Sequence, residues 1–536
     1  MVSTQTNRVP PCVLHEDEHL LVINKPAGWN THAPSLYAGE GIYDWLKHRE
    51  SRWASLAIIH RLDKETSGVM VFGKTPQANR SLTEQFASRA VRKKYLLLTD
   101  HEPKKREFVA RSSIARAGEC YTSGPSGEPA ETCFKLADSG SQISGCRIVE
   151  AEPMTGRTHQ IRVHATENGF PIFGDTLYGG TSFSRVCLHA AELSFKHPLS
   201  GDSVTFRAPP DFQNDTRAAL RSAVIEPKLT DAFRQIHGAS DGWPGLYVER
   251  LGDYLLSQSG HPLTEAQHAT FGTAARGVYH KNLSRHVRLS KPGDSSPQLV
   301  KGEAAPERFI IHENGVKFEL SFNEGYSVGL FLDQRDNRRR LLTGHVAAGF
   351  ALTGLEPGAR NSELQVLNTF AYTCGFSVCA GMAGARATSL DLSRKYLEWG
   401  KRNFALNGLD PASHDFIYGD TFDWLKRFTK KGRMFDVVLL DPPTFSQSKE
   451  SGTFRAEKDY GKLVRAALPV LKSGGVLFAS TNAADLLPEK FLAFVEEEIH
   501  SAGRKVVQRH YVPQPPDFPI SRDEPAYLKT MWLRIA

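Results

Sequence analysis

The sequence predicts a multidomain chain: an α+β domain on a mixed, mostly antiparallel sheet, a small α+β middle domain, and an α/β Rossmann-like domain. Three observations carry this. The 536 residues exceed what one core fills, at about 100–200 residues per domain. Short β-rich runs such as "LLVINK", "GVMVFGK" and "CRIVEAEP", separated by loops such as "GPSGEPA", dominate the first block. From Arg308 onward strands alternate with helical segments, the signature of βαβ units and a parallel sheet.

The expected boundaries are residues 11–215, a polar, helix-leaning linker at 216–228, a small domain at 229–307, and 308–536. Within the first domain, "AIIHRLDKETSGVMVFGK" sets apolar runs on both sides of a charged core. Paired as a hairpin, they push "HRLDKETSG" to the rim, where Asp63 either meets a ligand or forms an ordinary Asx-turn or cap. "RKKYLLL" supplies Tyr95 beside a basic cluster, and "MTGRTHQIRVH" supplies Arg162 on an alternating strand. Pairing with Arg162 would keep Asp63 ionised where water is excluded.

The middle domain begins with "SDGWPGLYVERLGDYLLSQ", strand-like runs punctuated by Asp-Gly and Pro-Gly turns. In the last domain "LQVLNTF", "ATSLDLS", "DFIYGD" and "FDVVLLDPP" read as four successive strands, with "RKYLEWGKRNFALNG" as a helix between the second and third. Ligands of such sheets gather at the carboxyl ends of the strands. The expected cofactor contacts are Phe370, Tyr372, Thr373 and Gly375 in the loop after the first strand, together with Asp333 upstream. Asp391 ends the second strand, where it can accept hydrogen bonds from both ribose hydroxyls of an adenosine; Asp420 follows the third, and Asp441 ends the fourth. Each acid alone is more readily a cap or turn residue, but three at successive strand ends argue for a site. Neither G-x-G-x-x-G nor G-x-x-x-x-G-K-[ST] is present, so S-adenosyl-L-methionine fits better than a dinucleotide or nucleoside triphosphate.

A net charge of +7, from 66 basic and 59 acidic residues, permits a polyanionic partner without demanding one. The clusters Arg89, Arg92, Lys93, Lys94 and Arg335, Arg338, Arg339, Arg340 read equally as nucleic-acid contacts or as solvated helix faces and strand ends. Seven scattered cysteines, with no CxxC and no zinc spacing, predict reduced thiols in a cytoplasmic protein and no metal. No apolar run approaches ~18 residues, and the N-terminus lacks an apolar signal core, so neither membrane insertion nor secretion is expected.

"VINKPAGWNTHAP", "HRLDKETSG", "TGRTHQIRVH…NGFPIFGDTLYGG" and "LHAAELSFKHPLSG…FRAPPDF", in that order, strongly resemble the RluA-type pseudouridine synthases over about the first 210 residues. The resemblance implies isomerisation of uridine in RNA without a cofactor. Asp63 is then the nucleophile on the sugar or base, and Tyr95 stacks on the base and shares in the final deprotonation. Arg162 pairs with the aspartate, and Arg61 fills the gap left by a flipped nucleotide. The small N-terminal RNA-binding module of many relatives is not expected here.

"GYSVGLFLDQRDNRRRLL", "VLNTFAYTCGFSVCAGMAG", "DPPTFSQSK" and "DEPAYLKTMWLR" resemble the RlmI- and RlmK-type class I rRNA methyltransferases, with coverage from about Leu229 to Ala536. Two departures stand out. Cys374 occupies a place where that family more often has glycine. And "GVLFASTNAADL" carries Ser480, Thr481 and Asn482 where C5-methylating relatives have a cysteine. Methylating a pyrimidine at C5 needs a thiolate to add at C6, whereas a base nitrogen attacks the methyl group directly and needs only positioning. Cys374 and Cys379, in the cofactor loop and its helix, are poor substitutes. The likeness to the RlmK type, which methylates guanine N7, points to a nitrogen. Asp441 and the Pro442 carbonyl would hold the base edge, with Pro443 and Phe445 against its face.

The expectation is therefore a bifunctional RNA-modifying enzyme with no obligate protein partner. Its partner is RNA: rRNA above all for methylation, with rRNA and tRNA both open for isomerisation. Two alternatives stand: a synthase whose methyltransferase-like half only binds RNA, and a non-catalytic ribosome-assembly factor.

Overall fold

The computed structural model describes residues 9–39, 41–138, 143–270, 275–283, 296–324, 327–352, 364–448, 452–484 and 486–536. The chain forms two compact units. The first ends at Glu226 and the second begins at Pro227, except that Ser35–Gly39 and His48–Ala54 group with the second.

The first unit is built on an eleven-stranded sheet. Its pairings are antiparallel except one: Ser67–Gly73 runs parallel to Leu188–Lys196. At that junction Gly68 has φ +123°, and a Cβ there would meet the Ala190 carbonyl oxygen at 2.3 Å. Only glycine fits, which accounts for the Ser-Gly closing "HRLDKETSG". The two apolar runs pair as a hairpin, Ala57–Ile58 against Ser67–Gly73, and the charged motif is the loop between them. The helix-leaning stretch after Asn214 is a helix, Thr216–Val224, capped by Asp215 accepting from the amides of Arg217 and Ala218.

One element departs from expectation. Arg162 lies on a helix, Gln160–Glu167, not on a strand. Its I-R-V-H alternation suggested a strand, but Gln160 through Ala165 are all buried, polar residues included. Each polar member has a partner: Gln160 with Thr155, Arg162 with Asp175, His164 with Ser112 and Thr132. A helix buried on every side carries no amphipathic stripe to read.

In the second unit, strands Ala232–His237, Leu246–Leu251, Tyr254–Ser259, Gly277–Asn282 and Gln298–Gly302 form a five-stranded sheet. Beyond it lies a seven-stranded sheet: β1 (Gln365–Thr369), β2 (Arg386–Asp391), β3 (Asp415–Tyr418), β4 (Phe435–Leu440), β5 (Leu471–Thr481), β6 (Val506–Val512) and β7 (Lys529–Ile535). The spatial order is β3-β2-β1-β4-β5-β7-β6, with β7 antiparallel to both neighbours. β1 to β4 are the four strands expected from sequence; β1 and β4 are parallel neighbours, and the order in which strands are added to the sheet reverses between them. That crevice is where a doubly wound sheet binds its ligand. No helix among the described residues is long and apolar enough to cross a membrane.

The arginine-rich helix Arg335–Thr343 is neither a nucleic-acid surface nor a solvated face. Arg335 makes a bidentate pair with Asp517 at 2.6 and 3.0 Å, and Arg338 pairs with Glu313 at 2.7 Å through two nitrogens; all four residues are buried. Arg340 donates to the carbonyls of Val346 and Asp336. These guanidiniums are spent on tertiary structure.

Candidate active sites

The loop carrying Asp63 opens into a cleft of about 750 Å³, lined also by Arg61, Tyr95, His159 and Arg162. Several contacts fix the loop. Thr31 Oγ1 donates to the Leu62 carbonyl at 3.0 Å, and the Thr66 amide donates to the Asp63 carbonyl at 3.2 Å. Below it, the fully buried Lys25 ammonium donates to the carbonyls of Pro26, Trp29 and Lys64 at 3.0, 2.6 and 3.2 Å. Burial pushes Lys25 down to about 7, opposed by the charge of Asp63. Lys25 belongs to the quoted "VINKPAGW", but no sequence pattern marks a lysine whose whole donor set is spent on backbone.

Arg162 does not make its bidentate pair with Asp63. It pairs with Asp175, through two nitrogens at 2.7 Å, and reaches Glu65 at 3.3 Å. Much of its charge is thus neutralised before it acts on Asp63. Burial accordingly wins: the Asp63 carboxyl is raised, with His159 first and Arg162 second in opposing the rise. Burial lowers His159, whose Nδ1 lies 2.8 Å from the Tyr178 hydroxyl. Tyr95 is pushed well up by burial and then by the Asp63 charge, so its phenol stays protonated. Arg61 is exposed at the rim.

In the second unit the loop after β1 is strained. Phe370, Tyr372 and Cys374 all hold positive φ, at +55°, +50° and +63°. Three non-glycine residues in the left-handed region persist only where neighbours over-determine them, as at functional sites. The neighbours are visible. Asp391 Oδ2 accepts the Tyr372 amide at 2.8 Å, and Oδ1 accepts the Ser393 amide at 2.8 Å. Thr373 is fully buried and donates its hydroxyl to the Gly329 carbonyl, while its own carbonyl accepts from Asn403. A Cβ on Gly375 would meet Leu330 at 3.0 Å. Thr373 and Gly375 therefore brace the loop against Gly329, Asn403 and Leu330.

The positive φ explains why position 374 suits glycine. It also sets a test. A Cβ at Gly400 would sit 2.3 Å from Cys374 Sγ. Gly400→Ala should cost about 1–3 kcal/mol in thermal or denaturant unfolding. Cys374→Gly in the same chain should recover most of that loss; no recovery would mean the clash is not the cause.

Phe370 and Asp420 line a cavity of about 220 Å³ with Leu392, Phe422 and Phe454. Asp420 is also the cap of helix Thr421–Lys430, one oxygen accepting the Asp423 amide at 3.1 Å. Asp333 is close enough to Asp441 for its charge to oppose ionisation of the Asp441 carboxyl. Burial, with Asp333 second among the raising influences, lifts Asp441 to about 6; hydrogen bonds from Ser480 and Gln334 oppose it. Asp333 Oδ2 accepts from the Tyr527 hydroxyl at 2.9 Å, which gives the C-terminal "DEPAYLK" its part in the site. Asp333 Oδ1 is buried without a hydrogen-bond partner among the described residues. A buried carboxylate oxygen left without a donor suits a ligand rich in donors, such as the ammonium and ribose of S-adenosylmethionine.

Ser480 is the penultimate residue of β5, beside Asp441, its hydroxyl accepting from Gln334 at 2.9 Å. Cys374 and Cys379 are buried, and burial raises both thiols, Cys374 to about 12. Pro442 is buried and Pro443 exposed, while Phe445 begins a hairpin strand with the Arg455 guanidinium 5.9 Å from its ring. Lys449, at the end of "DPPTFSQSK", lies outside the described residues. Phe331 was not anticipated. It is 51% exposed and its ring lies 5.3 Å from that of Tyr372. An exposed phenylalanine within "GLFLDQRD" was the available signal.

Fold and crevice together define a class I methyltransferase joined to an α+β domain with a catalytic-type cleft. Residues 264–534 match the family of S-adenosylmethionine-dependent methyltransferases, and residues 19–167 match RNA pseudouridylate synthase. A ribosomal RNA large subunit methyltransferase of Deinococcus radiodurans is 33% identical over 60% of this chain and 78% of its own length. Ribosomal RNA large subunit methyltransferase I of Aeromonas salmonicida is 31% identical over 59% of this chain and 77% of its own. The crystal structure of SMU.776 complexed with SAH matches with a TM-score of 0.50 at 26% identity, covering 64% of this chain and 86% of that one. The chain belongs to the S-adenosylmethionine-dependent methyltransferase family, and it joins to that domain an RNA pseudouridylate synthase domain.

Proposed function

We propose that this chain isomerises uridine to pseudouridine at Asp63 and methylates a nitrogen of an rRNA base at the β1–β4 crevice. The observation that supports both halves is a half-buried carboxylate with a raised pKa in each unit, Asp63 in one and Asp441 in the other. The first domain is of RluA type by its motifs. In the isomerisation the N1–C1′ bond of uridine breaks, C1′ bonds to C5, the C5 proton leaves and N1 gains one. Asp63 attacks and leaves as a carboxylate; Tyr95, held as a neutral phenol, offers a stacking face rather than a base. Arg61 at the rim fills the space vacated by the extruded nucleotide.

In the second site, S-adenosylmethionine supplies an electrophilic methyl group when bound. Asp391 accepts from the ribose, Asp420 and Phe370 border the adenine, and Asp333 takes the remaining donors. Asp441 and the Pro442 carbonyl hold the target base, and Phe445 stacks on it. Among the described residues the cysteines of this domain, Cys374 and Cys379, are buried with raised thiols, which favours nitrogen over pyrimidine C5. The target base edge needs an ionised acceptor, so methyl transfer should fall as Asp441 gains a proton. With the carboxyl raised, kcat/KM should drop to half near pH 6 rather than near pH 4. Asp441→Asn should remove that limb along with most activity. A profile unchanged in Asp441→Asn would end this assignment.

RNA substrates and the absence of a membrane-crossing helix among the described residues are consistent with work in the cytoplasm, on RNA during ribosome assembly. The experiment that tests the whole is a map of pseudouridine and methylated bases in rRNA and tRNA from a deletion strain. Loss of one pseudouridine and one N-methylated base supports it; loss of neither would overturn it, and a missing C5-methylpyrimidine would overturn the nitrogen.

A further inference from the structure

Lys93 takes no part in the chemistry above, yet its placement is specific. On strand Arg92–Thr99, Lys94 turns away from the cleft and pairs with Glu150 at 2.6 Å. Lys93 is two residues from Tyr95 and so shares its face; both line the cleft that holds Asp63. Lys93 is half-buried, and among the described residues no carboxylate lies within ion-pairing distance of its ammonium. The nitrogen lies 3.8 Å from where a side chain on Gly156 would begin, so the neighbouring wall leaves it uncovered. Its one resolved effect on another group is repulsive, lowering His60. Asp63 is acted on by His159, Arg162, Glu65 and Lys25, and Lys93 is not among the charges that tune it. A half-buried ammonium without a counter-ion is costly, and burial alone depresses its pKa. A ligand anion would remove that cost.

We propose that Lys93 forms a phosphate subsite of the isomerisation cleft, holding the RNA backbone beside the uridine whose base stacks on Tyr95. Residues two apart on a strand are separated by about 7 Å, the scale of one nucleotide. The exposed Arg61 continues the cationic rim along the same cleft. Lys93 is thus a positioning residue: it fixes the sugar relative to Asp63 through the phosphate, without touching the reacting atoms.

This rests on the isomerase activity proposed above, and the test separates the two. The probe is rRNA and tRNA from a deletion strain labelled with tritium at uridine C5, since isomerisation releases that proton. With the full-length chain, Lys93→Met should raise KM about tenfold and leave kcat within about twofold. The slope of log(kcat/KM) against log salt should become shallower by about 0.7, the value for one lost single-strand phosphate contact. Lys93→Arg, which keeps the charge, should restore the slope. No tritium release by the unmodified chain would overturn the isomerase assignment itself. An unchanged salt slope in Lys93→Met, or a fall in kcat at constant KM, would overturn the phosphate subsite. If Lys93→Met melts early, the Arg variant decides: a slope that differs from that of the unmodified chain excludes the subsite.

Discussion

Asp63→Asn is expected to abolish uridine isomerisation, by on the order of 10⁴-fold or more, and to leave methyl transfer untouched. Asparagine keeps the shape of the side chain, so the contacts that frame the loop survive: the Thr66 amide on the backbone carbonyl of residue 63, Thr31 on Leu62, and Lys25 on Lys64. What disappears is the negative charge, and with it the nucleophile. The same substitution reports on energetics. Burial raises the Asp63 carboxyl, so the ionised form is held against its own solvation. A neutral amide should therefore leave the melting temperature unchanged or higher, as expected when a site stores strain for function. A purely structural aspartate would behave oppositely, with activity and melting temperature falling together. Acidification supplies a second reading: because the folded pKa is raised, activity should begin to fall above the range of an ordinary aspartate, near 3.8. Residual isomerisation above about 1% in the Asn variant would remove Asp63 from the nucleophile's role.

The elements legible in the sequence share a property: each is a short run, buried along nearly its whole length and bounded by turn residues or an acid. β1, β2 and β4 end in Thr369, Asp391 and Leu440, and the acids Asp391 and Asp441 mark where the second and fourth close. The hairpin around "HRLDKETSG" was visible for the same reason. Legibility failed where polar residues are buried with partners. Helix Gln160–Glu167 read as a strand because Gln160, Arg162 and His164 sit inside with hydrogen-bond partners, erasing the polar face. Partner choice was equally hidden. Asp175 lies in a quoted motif, but nothing local says that it, rather than Asp63, takes the two parallel hydrogen bonds of Arg162. The arginine run at 335–340 shows the converse: charge density suggested a surface, and long-range carboxylates Asp517 and Glu313 draw it inside. The strain at Phe370 and Tyr372 depends on φ, for which the loop gives no warning, whereas at Cys374 the glycine more usual in the resembled family was a signal of positive φ.

That strain leads to the second large effect, at Asp391. Asp391→Ala is expected to weaken S-adenosylmethionine binding by at least about 100-fold, read by titration calorimetry, while uridine isomerisation stays intact. Two losses combine. The carboxylate ends β2 and is the proposed acceptor from the ribose, and charged hydrogen bonds contribute about 1.5–3 kcal/mol each. It also accepts the Tyr372 amide at 2.8 Å, which helps hold that residue at φ +50°. Without it, Tyr372 is freed to relax toward negative φ, and the loop lining the crevice loses its shape. The two contributions can be separated. Asp391→Asn keeps an acceptor for one amide but loses the charge, so it should bind more weakly than the unmodified chain and more tightly than Ala. An Ala variant with unaltered affinity would mean that the crevice binds its cofactor elsewhere. Equal losses in Asn and Ala would assign the effect to charge on the ribose alone, and an Asn variant equal to the unmodified chain would assign it to the backbone it braces.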